Sequence, residues 1–184
     1  MLELVVAAAL MRPAADDGVR DRMIDLYDQV CLQAFPDDKA VEKAVTGLGA
    51  TELSRKQVEI FLHDDPGRGW TVVSGGTSFT VTVEAPPYHA CSVRLKTDAA
   101  FADLGRYPAL AAGFESAHGG GFQPMQPFEM DIGDVHSRAI GEQRADRKGG
   151  ESLFYFVNTP TKRALDNGVP PQAELRFVHQ ITTH

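Results

Sequence analysis

The chain holds two cysteines and six histidines, the side chains whose spacing could carry chemistry. In EAPPYHACSVRLK, residues 84–96, His89 stands two positions before Cys91. A histidine near a cysteine can make a thiolate nucleophile or begin a metal site. Both have demands. On a strand, positions i and i+2 share a face but lie about 7 Å apart, too far for the usual Cys–His contact. A zinc site takes four ligands, commonly from close pairs, and no second pair of this spacing occurs. Cys31 and His179 would have to complete such a site through the fold. The enzyme reading therefore rests on Cys91 and His89 as a catalytic pair, or on His89, Cys91 and His179 around a metal.

A structural reading competes with it. In the strand expected after Pro87, His89, Cys91, Val93 and Leu95 share one parity, and Ala90, Ser92, Arg94 and Lys96 the other. The second set is the polar one, so the first faces the core. Cys31 falls on the apolar stripe Met23, Tyr27, Val30, Cys31 and Ala34, the i, i+3/4, i+7 spacing of a helix that packs one face. Both cysteines then point inward, from elements of the kind that pack together. A Cys31–Cys91 disulfide closing about 60 residues would add roughly 4 kcal/mol in the chain-entropy model. Two buried thiols remain the other structural possibility, and a catalytic cysteine would need solvent access and a lowered pKa.

The remaining candidates are weaker. His179 alternates with Leu175, Phe177 and Ile181 in ELRFVHQITTH, which marks a hydrogen-bonded core histidine before a ligand. His63 precedes Asp64 and Asp65, but Asp-Asp-Pro-Gly is turn chemistry. His118 and His136 have no partner legible in the sequence. Arg68, Trp70, Tyr88 and Arg94 could supply a polar-aromatic binding surface. No G-x-S-x-G, H-E-x-x-H, Walker or EF-hand pattern occurs, and the glycine-rich GRGW and HGGGF lack the setting of a phosphate cradle. No cofactor is called for.

The elements that must position these residues follow from periodicity. Helices are expected over Arg20–Phe35, over Asp37–Val45 and within TELSRKQVEIFLHDD, capped by Thr51 or Ser54. Period-two patterns then give strands at 70–73, 78–84 and 89–96, with SGGTS (74–78) as a hairpin turn. A helix interrupted near Pro108 is expected across Ala99–His118. Strands follow at about 128–142, 152–158 and 174–182, and GEQRADRKGG (141–150) reads as a solvated hairpin loop. LFYFV (153–157) is apolar on both faces, as in a central, doubly covered strand. The expectation is one α+β domain over residues 16–184. It has a single antiparallel sheet of five or six strands, with the N-terminal helices and one mid-chain helix packed on one face.

Composition bounds the function classes. A chain of 184 residues, 43% hydrophobic and 23% charged, suits one globular domain. A net charge of −7 argues against nucleic acid as a partner, because phosphate contacts need a dense Lys/Arg surface. The apolar run Leu4–Met11 is too short for an integral span, which takes about 20 residues. Residues 1–15 resemble the end of an export signal, although Glu3 stands where positive charge is expected and Pro13 spoils the small-x-small pattern. The alternative is a first element of the domain itself.

YDQVCLQAFPDD (27–38), DDPGRGW (64–70), EAPPYHACSVR (84–94) and LRFVHQI (175–181) together resemble small, exported bacterial proteins of uncharacterised function that carry two cysteines. The resemblance implies an envelope setting, periplasmic or secreted, and the use of Cys31 and Cys91 as a pair; an incomplete signal leaves the cytoplasm as the alternative. The expected function is a non-enzymatic binding or accessory module whose partner is a small molecule or an envelope protein. An enzyme built on Cys91, His89 and His179 is the rival.

Overall fold

The computed structural model describes residues 17–97, 103–147 and 149–183. The apolar segment 1–15 and the beginning of the helix expected at Ala99 lie outside them. The first helix, α1 (Asp17–Tyr27), runs on into a wider π-helical turn, Asp28–Leu32. Gln33 N–H donates to Asp28 O at 2.9 Å and Phe35 N–H to Val30 O at 3.2 Å, both spanning five residues. Met23, Ile24, Tyr27, Val30 and Cys31 are fully buried, so the expected stripe is the packed face. In α2 (Asp38–Gly47), Asp37 caps the start by accepting the Lys39 and Ala40 N–H groups, as a carboxylate at a helix N-terminus does. α3 (Arg55–Leu62) begins after Ser54, whose N–H donates to Gln57 Oε1 at 2.9 Å.

Nine strands occur among the described residues. They are β1 (Thr51–Glu52), β2 (Gly67–Ser74), β3 (Thr77–Glu84), β4 (Tyr88–Thr97), β5 (Gln123–Pro124), β6 (Phe128–Ile132), β7 (Val135–Asp146), β8 (Gly149–Pro160) and β9 (Ala173–Thr183). They form one antiparallel sheet in the order β1-β2-β3-β4-β9-β8-β7-β5, with β6 also paired to β7. The expectation of five or six strands is therefore corrected to nine, and the fold is richer in sheet than the sequence suggested.

The three added strands have local causes. β1 and β5 are two residues long, too short to show a period. The third comes from DIGDV: the segment expected as one strand over 128–142 folds back at Gly133-Asp134, pairing Ile132 with Val135. A two-residue connection of this kind needs positive φ, and Gly133 has φ 60°. The expected loop 141–150 is mostly strand, the ends of β7 and β8. The mid-chain helix is also shorter than expected. α4 (Tyr107–Ala117) carries Pro108 in its first turn, where a missing N–H costs nothing, so the proline starts the helix instead of interrupting it. A short α5 (Lys162–Asp166), capped by Thr161, lies in the connection from β8 to β9.

The sheet separates two environments. One face carries Val81, Cys91, Val93, Leu95, Leu153, Leu175 and Phe177, all buried in one apolar cluster with α1, its π turn and α2. Tyr107 of α4 stacks on Phe177 at 4.2 Å between ring centroids, and Tyr27 lies 5.5 Å from the same ring. The helices are not all on that face, which is a second correction. α3 reaches the opposite one, where the Phe61 carbonyl accepts from Arg94 at 3.1 Å. LFYFV is apolar on both sides as expected: Leu153, Tyr155 and Val157 join the core, while Phe154 and Phe156 lie on the other face. Phe177→Ala should lower unfolding free energy by about 3–5 kcal/mol, read from urea or guanidinium midpoints at unchanged slope.

Candidate functional site

Cys31 and Cys91 are bonded, with Sγ–Sγ 1.99 Å and Cα–Cα 5.3 Å across a separation of 60 residues. The bond joins the end of the first helical segment to the core face of β4, as the inward parity of both residues requires. A sulfur held in a disulfide offers neither a thiolate nucleophile nor a metal ligand. Among the described residues, no three His, Cys, Asp or Glu side chains are grouped so as to hold a metal ion.

The two histidines flank this bond but turn to other partners. His89 packs edge-on against Phe35 at 4.5 Å and places Nε2 2.8 Å from Asp38 Oδ1, at the start of α2. His179, opposite Cys91 in the register, is 1% exposed. Its Nδ1–H donates to the Cys31 carbonyl at 2.7 Å, and its Nε2 lies 2.8 Å from Glu151 Oε1. Arg144 Nε donates to the second Glu151 oxygen at 2.8 Å, and its Nη1 donates to the carbonyls of His118 and Gly120. The π turn, β9, β8, β7 and the end of α4 are thus tied by one line of polar contacts. Its members satisfy each other, as buried polar groups must.

The hydrogen bond from His179 holds the Glu151 carboxyl below its ordinary range, and Arg144 adds to this. A lowered carboxylate pKa contributes stability above the unfolded value, which is lost as pH falls through the folded one. Glu151→Gln should therefore be less stable than the parent at pH 7, with the gap in urea midpoint closing as pH falls below 4.5. Cys31→Ser/Cys91→Ser should lose about 2–5 kcal/mol, measured by thermal or denaturant unfolding against the oxidised parent.

The four residues proposed as a polar-aromatic surface fall in three places. Arg68 lies over the Trp70 ring at 5.0 Å and is held by Glu42 and Glu52, and Trp70 is 4% exposed. Tyr88, at the start of β4, is exposed. Arg94 shares the parity of Tyr88 on the face away from the disulfide, where it lines a cleft of about 680 Å³.

That cleft lies between α3, the β6–β7 turn and the connection after α5. Alternation on the central strands builds its floor: Arg94 of β4, Arg176 of β9, Phe156 and Asn158 of β8, and Ser137 of β7. The Ser137 hydroxyl donates to Asn158 Oδ1 at 2.7 Å, and the Asn158 amide donates to Glu174 at 3.2 Å, so the polar floor is fixed. Arg94 lies over the Phe61 ring at 5.3 Å and Arg176 over Phe156 at 5.4 Å. Ile60, Ile132, Val135 and Val169 form a partly exposed apolar rim. Burial, and then the neighbouring Arg94 charge, bring the Arg176 guanidinium down to about 9. Burial also lowers Arg94. Burial and the charge of Asp65 raise the Glu84 carboxyl at the cleft wall.

Sequence reasoning named Arg94 and missed Arg176 and Phe156. The polar parity of Arg176 in ELRFVHQ was visible, but its position opposite Arg94 depends on which strands pair. No family model matches the chain, and no curated protein or solved structure shows a significant match.

Proposed function

We propose that the protein is a non-enzymatic binding module of an oxidising, extracytoplasmic compartment, taking a small molecule in the cleft opposite its Cys31–Cys91 staple. The cleft carries the reading. At about 680 Å³ it falls within the usual range of small-molecule sites, about 300–1,000 Å³, and it combines an apolar lining with a few convergent polar groups in the usual way. The compartment is supported by the disulfide, since such bonds persist where thiols are not kept reduced. The likeness of the cysteine-bearing stretches to exported bacterial proteins points the same way.

Both halves are open to measurement on protein recovered from its native host. Thiol titration under denaturing, non-reducing conditions should find no free thiol, and two free thiols would overturn the compartment. Native mass spectrometry should find a small-molecule adduct that Val135→Trp, filling the cleft mouth, removes. An adduct that survives this substitution, or protein at its bare mass whose melting point no metabolite library shifts, would overturn the binding role.

A further inference from the structure

Arg94 and Arg176 stand directly opposite each other on β4 and β9. Side chains so placed have Cβ atoms about 5 Å apart, and like charges there are destabilising. Among the described residues only one of the two is ion-paired. Arg94, 7% exposed, has one carboxylate within ion-pair reach, Glu174 at 3.6 Å. Among the described residues Arg176 has none, and the Nε atoms of both are buried without a hydrogen-bond partner. Two guanidinium groups side by side, one buried and one half-buried, each with an Nε left unused, favour an added acceptor.

The surroundings narrow what would meet it. Phe61 and Phe156 back the two guanidinium groups, and the rim beyond them is Ile132, Val135 and Val169. Asp65, Glu84, Asp134 and Glu174 also line the cleft, beside Lys96, which disfavours a head carrying several negative charges. From this geometry we infer that the cleft binds an amphiphilic monoanion. A singly charged acidic head, carboxylate or sulfonate, bridges Arg94 and Arg176, and its apolar body lies on Phe156 and the Ile132–Val135 rim. The inference rests on the reading of the cleft as a ligand site and adds the class of ligand. A charged head held by paired arginines forms charge-assisted hydrogen bonds, the stronger kind, and the apolar body contributes through burial.

Two fluorescent probes of one skeleton test it: 8-anilino-1-naphthalenesulfonate, and N-phenyl-1-naphthylamine, which lacks the sulfonate. The oxidised full chain should bind the sulfonate at one per chain, at least ten-fold more tightly than the neutral probe, and octanoate should displace it where octanol does not. Arg176→Met should bring the two affinities together without lowering the melting temperature, because it removes a repulsion and keeps an unbranched stem. Arg55→Gln, on the exposed side of α3, should change nothing. If parent and Arg176→Met bind both probes equally, the anion assignment falls while the cleft stands as a ligand site. If neither probe binds the parent, both fall. A melting temperature lowered by several degrees in Arg176→Met would mark the arginine as structural and overturn the inference.

Discussion

Ten consecutive residue pairs join β4 to β9, from Tyr88 opposite Thr182 to Thr97 opposite Ala173. Side chains alternate strictly along a strand, so this single register assigns both faces of the sheet at once. It puts Cys91 beside His179 and Val93 beside Phe177 under the helices. It also puts Arg94 beside Arg176 on the other side. A slip of β4 by one residue would send Arg94 into the apolar core and Cys91 away from its partner. The disulfide and the cleft are therefore two outcomes of one pairing.

The core face is held by unlike means in neighbouring places. Around Phe177 the contacts are aromatic, with Tyr27 and Tyr107 closing on one ring. Two residues along β9, His179 packs edge-on against Phe35 and Phe114 and adds hydrogen bonds to the Cys31 carbonyl and to Glu151. A buried imidazole would be costly alone. Here it satisfies a carbonyl at the helix end that the disulfide also fixes, so covalent and polar restraints meet at one residue, Cys31.

Much of this was legible in the residues themselves. The alternation of His89–Lys96 and of Leu175–Ile181 gave the inward cysteine and the inward histidine, and the stripe from Met23 to Ala34 gave the helix face. What could not be read was long-range. The partner of each strand, and hence the meeting of Arg94 with Arg176, is set by the packing of the whole sheet. Short-range misses had other causes. Pro108 supports a helix start as well as an interruption, and β1 and β5 are below the length at which any period shows. The turn in DIGDV was readable from Gly133-Asp134 but was masked by the strand-like residues on either side.

Those short strands have a bearing on how the molecule behaves among its neighbours. An open sheet of long strands exposes rows of unpaired backbone groups that can recruit other chains. Among the described residues the sheet ends in strands of only two residues at either side, Thr51–Glu52 and Gln123–Pro124. Pro124 has no N–H to offer, and β6, the other strand along the border of β7, carries Glu129 and Asp131. Short, charged and proline-bearing borders are poor templates for edge-to-edge pairing.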